Sequence, residues 1–149
     1  MDALQLLKGD HEKVRRMLAE LAATTQRAEK TRTETFERLK HDLTVHETIE
    51  EEFLYPALEE FAKTKDITLE AFEEHHVVGE IVAELEATAV SDERWGAKLT
   101  VMKENLEHHI EEEEGEMFPK ARQVMDPDEL LDLGDRMAAR KKELAGEER

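Results

Sequence analysis

The segment VHETIEEEFLYP, residues 45–56, returns in altered form as HHIEEEEGEMFP, residues 108–119. Aligned on their prolines, the two segments share a His, a Glu four residues later and an aromatic residue directly before the proline. The matched pairs are His46 and His109, Glu50 and Glu113, and Tyr55 and Phe118. Residues four apart are neighbours on one face of an α-helix. The repeat therefore predicts two equivalent helices, each of which presents a His and a Glu on one face.

A second repeat precedes each of these segments. DHEKVRRMLAEL, residues 10–21, aligns with EHHVVGEIVAEL, residues 74–85, and places His11 on His75. The offset is 64 residues here and 63 residues for the first repeat. The first and second helices therefore resemble the third and fourth, as expected of a helical hairpin duplicated into a pseudo-symmetric bundle.

The composition is that of an acidic helical domain. The 149 residues suffice for one domain with a sizeable core, and 40% of them are charged. The formal charge of −17 argues against nucleic acid and anionic membranes as partners, because both bind basic surfaces, and it is compatible with a cation ligand. The absence of cysteine excludes thiolate metal sites and disulfides. The N-terminus does not resemble a signal peptide, and no apolar run approaches the ~20 residues of a membrane span, so we expect a cytoplasmic protein.

Apolar residues at helical spacing predict four long helices and a short fifth one. The predicted ranges are 2–25, 33–63, 68–89, 92–125 and 127–144. We expect a loop at 24–33, a break at the KTKD segment (63–66) and an N-cap at Ser91. Long helices with short connections indicate an all-α, up-down antiparallel four-helix bundle. The bundle is predicted to cover residues 1–125, and residues 126–149 form a C-terminal helix, interpreted as an appendage, and a frayed tail.

Each predicted helix carries one His in the stripe of residues that should face the core. The stripes advance by alternating steps of three and four residues and are otherwise apolar. Their polar members are His11, His46, Glu50, His75, His109 and Glu113. After its Glu, the second stripe is expected to continue through Phe53 and Ala57. The other histidines, which lie off the stripes, are interpreted as surface or outer residues: His41, His76 and His108.

The aromatic and proline residues that close the two repeated segments receive a structural interpretation. Tyr55 and Phe118 are interpreted as core residues rather than as participants in chemistry. Pro56 and Pro119 are expected to kink their helices, because proline removes a backbone hydrogen bond and clashes with the preceding turn.

Four histidines and two glutamates at one level of a bundle indicate a metal site. A single His on an apolar stripe is usually a hydrogen-bonded core residue, but four of them with two paired glutamates are difficult to explain in this way. Burying a lone carboxylate costs on the order of several kcal/mol, even after the protein relaxes around it, unless a partner such as a metal compensates its charge. Nitrogen and oxygen donors without sulfur suit Fe, Mn, Zn or Ni. Six donors fit two ions, each bound by two histidines and bridged by both carboxylates.

The order H … HxxxE … H … HxxxE resembles that of the hemerythrin-like HHE cation-binding family, as do the segments LLKGDH, LYP and MFP. The resemblance covers residues 3–124. It implies a non-haem di-iron site, for which zinc or manganese are possible substitutes, and chemistry with dioxygen, peroxide or nitric oxide. It also implies two His for each iron and two bridging Glu: His11 with His46, His75 with His109, and Glu50 with Glu113.

One departure from the oxygen-carrying hemerythrins bears on function. The carriers have a second His one turn after the third-helix ligand, where this chain has Gly79. Their fourth-helix carboxylate is also spaced differently from Glu113. The resemblance, with this departure, favours a peroxide-consuming, catalase-like centre over a reversible oxygen carrier, with no catalytic residue assigned beyond the metal ligands.

Three other functions stay open at the level of sequence. A sensor or storage module would hold metal or a diatomic ligand without turnover, and its protein partner is unknown. A ferritin-like centre fits less well, because such centres use Glu-x-x-His, whereas the His comes first in this chain. A bundle with no metal role is the last alternative, and a measurement of bound metal per chain would distinguish it from the others.

Overall fold

The computed structural model describes residues 1–147, which form a helical bundle with no β-strand among them. The helices are α1 (Ala3–Ala22), α2 (Glu29–Ile49), α3 (Tyr55–Glu59), α4 (Ala62–Glu86), α5 (Glu93–Glu112), α6 (Phe118–Val124) and α7 (Pro127–Glu147). Two π-helical turns, Glu50–Leu54 and Glu113–Met117, join α2 to α3 and α5 to α6 into two long helices. The prediction of an all-α four-helix bundle with a fifth C-terminal helix is confirmed.

The four long helices form a closed ring of neighbours. α1 packs against α2 and α5, α4 packs against α5, and α3 at the end of the second long helix packs against α4. α7 packs on α1 and α2. In the part of the chain that the structure describes, no helix has the length and apolar character required to cross a membrane.

Carboxylate caps begin the first and fourth long helices. The backbone N–H of Gln5 donates to Asp2 Oδ1 at 2.9 Å, and the N–H of Asp2 donates to Gln5 Oε1 at 3.0 Å, which is a reciprocal capping box. The prediction of Ser91 as an N-cap is wrong by one residue. Asp92 caps α5 instead, with its Oδ1 accepting from the N–H of Arg94 at 2.9 Å.

The second long helix begins inside the segment predicted as a loop. α2 starts at Glu29 rather than at residue 33. Arg32 accounts for the early start, because this buried cation is held by partners outside the helix. Its Nη1 donates to the carbonyl of Val90 at 2.6 Å, and its guanidinium lies 4.8 Å from the ring centre of Trp95.

The predicted break at residues 63–66 is wrong, because the chain turns earlier. α3 ends at Glu59, and α4 begins at Ala62 and runs through the whole KTKD segment. The Thr64 hydroxyl donates to the carbonyl of Leu58 at 2.5 Å. A side chain in the first turn of α4 therefore satisfies the carboxyl end of α3, so these polar residues need not lie in a loop.

The two helices that carry a His and a Glu widen directly after the Glu. The N–H of Tyr55 donates to the carbonyl of Glu50, five residues back, and the N–H of Phe118 donates to that of Glu113. A proline follows each aromatic residue and crowds the preceding turn, which a wider turn relieves. The predicted irregularity is thus a π-helical turn that starts at each Glu.

The extra residue in the first π-helical turn shifts the buried stripe by one position. Leu54 and Leu58 are fully buried, whereas the predicted core residues Phe53 and Ala57 are only partly buried. A strict step of three and four residues cannot anticipate this shift, because it assumes an uninterrupted α-helix.

The C-terminal helix is longer than predicted and belongs to the core. It continues beyond the expected end at Leu144 to Glu147; the last two residues of the predicted tail, 148–149, lie outside the described residues. The interpretation of this helix as an appendage is wrong, because three of its side chains join the apolar cluster at one end of the bundle: Leu130, Leu133 and Met137.

A glycine lets α7 approach the N-terminus of the chain closely. A Cβ atom at Gly134 would lie 2.5 Å from the carbonyl oxygen of Met1 and 2.8 Å from the backbone nitrogen of Ala3. Both neighbours are backbone atoms, so any larger residue would force the segments apart. This contact fixes α7 against the start of α1.

Two apolar clusters fill the bundle, with a polar layer between them. Leu7 belongs to one cluster and Val14 to the other, and His11 lies between them in α1. In the same way Leu43 and Ile49 of α2 belong to different clusters. The histidine layer is therefore enclosed by apolar side chains on both sides.

Candidate metal centre

All six predicted donors lie in this layer and are buried: His11, His46, Glu50, His75, His109 and Glu113. Each long helix contributes one His, and the second and fourth add a Glu from the first position of a π-helical turn. The structure also separates the two adjacent histidines of the third long helix by where their side chains lie. The His75 side chain is buried in the layer, whereas the His76 side chain is 68% exposed beside Glu80.

Each carboxylate stands between two imidazoles from different pairs. Glu50 Oε1 is 3.2 Å from Nε2 of His46 and 3.2 Å from Nε2 of His75. In the same way, one oxygen of the second carboxylate is shared by the remaining two histidines: Glu113 Oε1 lies 3.1 Å from His11 Nε2 and 3.2 Å from His109 Nε2. The two carboxylates therefore connect the two predicted histidine pairs.

The donor atoms form two groups that share a carboxylate. In each group the candidate ligand atoms all lie within 4.8 Å of one another. The first group is His11, His46, Glu50 and Glu113, and the second is Glu50, His75 and His109. This grouping reproduces the predicted partition of two histidines for each ion.

Among the residues that the structure describes, four buried atoms at the centre find no hydrogen-bond partner. They are His46 Nε2, His109 Nε2 and both carboxylate oxygens of Glu50. Buried polar groups are normally satisfied, and each unsatisfied one costs roughly 1–3 kcal/mol. Cations at this position would use the nitrogen and oxygen lone pairs. The residues therefore fit a pair of ions such as Fe, Mn or Zn.

Each of the four histidines in the layer has a carboxylate at Nδ1, the ring nitrogen that faces away from the centre. The Nδ1 contacts are His11 with Glu114 Oε2 at 2.6 Å, His46 with Asp10 Oδ2 at 3.0 Å, His75 with Glu51 Oε2 at 2.8 Å, and His109 with Glu74 Oε1 at 2.8 Å. An N–H at Nδ1 that donates to a carboxylate leaves the Nε2 lone pair directed inward, as in carboxylate–histidine–metal triads. These four carboxylates were not predicted from the sequence.

The repeat contained the signal that would have found them. Asp10 and Glu74 each precede the first His of a repeat, and Glu51 and Glu114 each follow a bridging Glu. Acidic residues at matched positions on both halves therefore marked the outer layer.

The charges in the layer shift the pKa values of the imidazoles upward. Burial alone would lower the pKa of His46, but the charge of Glu50 and the hydrogen bond to Asp10 outweigh burial and raise it to about 10. The pKa of His75 is raised to about 9, again chiefly by Glu50 against the effect of burial. Glu113 raises the pKa of His109 well above its ordinary value, and His109 lowers the pKa of Glu113. The layer thus favours positive charge, which bound ions would supply in place of protons.

Tyr55 belongs to the centre, contrary to its interpretation as a core residue only. Its hydroxyl donates to Glu113 Oε2 at 2.8 Å and lies 3.3 Å from His75 Nε2. Burial, followed by the charge of Glu113, raises the pKa of this phenol. The matched Phe118 stacks against His11 with ring centres 6.0 Å apart and is a core residue, as predicted.

A small cavity adjoins the four imidazoles of the layer. Its volume is about 10 Å³, and its lining includes Val14, Leu43, Leu106 and Ile110 together with all four histidines. Glu47 also lines it, with Oε2 3.9 Å from His75 Nε2, and burial raises the pKa of this carboxyl. The matched residue in the other half of the repeat is Ile110. Glu47 and Tyr55 therefore make the surroundings of His75 more polar than those of His11, where the matched residues are Ile110 and Phe118.

The remaining histidines lie away from the layer. The His108 side chain is 65% exposed and pairs with Glu112 at 3.0 Å, and His41 is partly buried between α1 and α2. Gly79, the position of the additional His in oxygen carriers, is exposed, and a Cβ there would meet nothing within 4 Å.

Fold and site together define a helical bundle with a buried cluster of histidines and carboxylates that could hold metal cations. The chain belongs to the hemerythrin HHE cation binding domain family, whose model matches residues 2–121. The expectation from sequence is therefore confirmed at the level of family and cation-binding domain.

The most similar relatives include mycobacterial proteins. The chain is 32% identical over 150 aligned positions to the uncharacterised protein Rv2633c of Mycobacterium tuberculosis, with 98% of this chain and 89% of the relative covered. The uncharacterised protein Mb2666c of Mycobacterium bovis gives the same identity and coverage. A crystal structure of a hemerythrin HHE cation binding domain-containing protein, an Rv2633c homologue from Mycobacterium kansasii, matches with a TM-score of 0.87 and 28% identity over 99% of this chain and 89% of that chain.

Proposed function

We propose that this protein binds two non-haem iron ions and uses them to consume hydrogen peroxide. His11 and His46 would hold one ion, His75 and His109 the other, and Glu50 and Glu113 would bridge them. The observation that carries the proposal is the position of the two carboxylates, each of which has one oxygen 3.1–3.2 Å from an imidazole nitrogen of both pairs. Zinc or manganese would fit the same donors.

The size of the adjoining cavity supports a very small ligand. A volume of about 10 Å³ is close to the space of one water molecule and excludes organic substrates unless side chains move. Dioxygen, hydrogen peroxide and nitric oxide, with two heavy atoms each, are only slightly larger than water. Apolar residues such as Leu43 and Leu106 line the cavity and keep bulk water from the imidazoles.

Two bound iron ions would supply the redox chemistry of peroxide disproportionation, in which one hydrogen peroxide is oxidised to dioxygen and its two electrons reduce a second one to water. The residues of the chain would manage position and protons. The Tyr55 hydroxyl holds Glu113 Oε2, which keeps that carboxylate in its shared orientation. Glu47 lines the cavity, and burial raises the pKa of its carboxyl, so it is the carboxyl placed to exchange a proton with a ligand there.

The ligand count favours consumption of peroxide over reversible oxygen carriage. Gly79 offers no side-chain donor, so each histidine pair has two imidazoles and shared carboxylates. Coordination positions would therefore stay available on both ions for a ligand that reacts between them. A carrier instead needs one saturated ion beside one with a single vacancy.

The proposal is tested by the fate of the reduced, iron-loaded protein. Anaerobically reduced protein, mixed with air-saturated buffer in a stopped-flow spectrometer, should oxidise without a long-lived coloured oxygen complex. The oxidised protein should release dioxygen from hydrogen peroxide in an oxygen-electrode assay. An oxygen complex that reverses on degassing, with no peroxide turnover, would contradict the proposal and indicate a carrier. Tight iron binding without either reaction would indicate a sensor or storage module.

A further inference from the structure

The C-terminal helix reaches the candidate metal centre through a chain of two contacts. Lys141 Nζ donates to Asp10 Oδ1. The other oxygen of the same carboxylate, Oδ2, accepts from His46 Nδ1 at 3.0 Å. A residue outside the segment matched by the family model, residues 2–121, is therefore connected to a candidate ligand through one carboxylate.

Asp10 differs in its surroundings from the other three carboxylates that hold an imidazole. Its side chain is 9% exposed, whereas those of Glu51, Glu74 and Glu114 are 41%, 25% and 27% exposed. The nearest arginine contact of Glu114 is long, with Arg15 Nη1 4.0 Å from Oε1. A buried carboxylate depends more on a fixed partner than an exposed one, because water cannot replace that partner.

The helix that carries Lys141 is held against the bundle by contacts that lead up to the lysine. Gly134 packs against the backbone of Met1, and Met137 is fully buried. One residue before the lysine, Arg140 Nε donates to Glu52 Oε2 at 3.0 Å. Lys141 is therefore presented to Asp10 from a fixed position rather than from a free tail.

The repeat makes this arrangement one-sided. Asp10 corresponds to Glu74, which holds His109 in the other half. Glu74 is close to His108, with 4.0 Å between Glu74 Oε2 and His108 Nε2, on an open surface. The lysine contact thus acts on one histidine pair and breaks the symmetry of the duplicated bundle.

We propose that Lys141 is a positioning residue for the metal centre. It fixes Asp10, which keeps the N–H of His46 on Nδ1 and directs Nε2 toward the ion that His46 shares with His11. The inference rests on the proposed function, because it assumes that His46 is a ligand. It makes α7 part of the metal centre and predicts that the two ions are bound unequally.

The test compares Lys141→Met with Lys142→Met. Both variants remove one charge and keep an unbranched side chain, but Lys142 is exposed at the neighbouring position. Loss of a carboxylate that directly holds a metal-bound histidine typically costs about 10–100-fold in affinity. Lys141 acts one contact further away, so Lys141→Met should weaken one of the two zinc ions by about 3–10-fold in a chelator competition titration. Lys142→Met should match wild type, and Lys141→Arg should restore most of the affinity.

A site-specific signal identifies the affected half. In zinc-loaded protein with ¹⁵N-labelled histidine, NMR reports the exchange of each Nδ1 proton with water. Lys141→Met should accelerate exchange at His46 and leave the rate at His109 unchanged. Wild-type rates at all histidines with unchanged affinities would overturn the proposal, as would equal weakening of both ions. If the wild type took up no metal, the proposed function would fail, and the His46 signal of the metal-free variant would still decide whether Lys141 positions this ring.

Discussion

Replacing Tyr55 with Phe isolates the hydroxyl that meets the candidate metal centre. The donor and acceptor are both buried: Tyr55 is 0% exposed, Glu113 is 1% exposed, and the distance from the hydroxyl to Oε2 is 2.8 Å. The substitution keeps the ring and leaves no cavity. A hydrogen bond to a charged group contributes roughly 1.5–3 kcal/mol, so metal-free Tyr55→Phe should lose about that much unfolding free energy. For a domain of this size the melting temperature should fall by roughly 3–12 °C.

The same variant should lose less stability when metal is bound. A cation at Glu113 would compensate the carboxylate in place of the lost hydroxyl. Urea unfolding of wild type and Tyr55→Phe, each with chelator and with saturating zinc, measures both differences. Equal stability of wild type and variant in chelator would refute the argument that this hydroxyl satisfies the buried carboxylate.

The internal repeat suggests a matching substitution in the other half of the chain. Phe118 corresponds to Tyr55, and the matched carboxylate, Glu50, has two oxygens without a hydrogen-bond partner. Phe118→Tyr adds a hydroxyl on that side, so the metal-free variant should be at least as stable as wild type. A loss comparable to that of Tyr55→Phe would show that the two halves do not correspond in this respect.

Three further predictions concern protons, packing and helix phase. The pKa of His46 is raised from 6.5 to about 10 and that of His75 to about 9, so their protonation stabilises the metal-free protein fully below pH 6.5 and less as the pH rises through 9–10. Melting temperatures measured in chelator should therefore fall between pH 6.5 and 10. A flat or rising profile would contradict this charge effect. Gly134→Ala should lower the melting temperature, because the added Cβ meets the N-terminal backbone. Gly79→Ala has open space around it and should raise the unfolding free energy by up to about 1 kcal/mol through helix propensity. Equal stabilisation by both substitutions would refute the close contact at Gly134. Chelator titration should show that His75→Ala loses metal while His76→Ala retains it, and the reverse result would mean that the third helix binds through its other face.

The placement of the six buried donors could be predicted because two independent regularities agreed. Helical periodicity put one His of each helix on the apolar stripe, and the internal repeat aligned those positions in pairs. His75 was separated from His76 by both arguments, and the structure places His75 inward. A single periodicity without the repeat would have left the choice open.

The features that escaped prediction depend on contacts across the bundle. The π-helical turn that starts at Glu50 shifts the core from Phe53 to Leu54; the proline predicts an irregularity there, but helical periodicity does not predict the extra residue. Tyr55 reaches the centre only because of the shift, so an aromatic residue with an ordinary core appearance becomes a hydrogen-bond donor. The contact of Lys141 with Asp10 requires the register of α7 against α1, which a sequence of exposed charges does not reveal.

Metal content per chain, measured by elemental analysis on natively purified wild type and Glu50→Ala, tests the central claim most directly. Glu50 lies between His46 and His75 and belongs to both candidate donor groups. We expect about two metal ions per chain in wild type, chiefly iron, and loss of both together in the variant, because a bridging carboxylate serves both ions. Full occupancy by two ions in Glu50→Ala, or wild type that carries no metal, would contradict it.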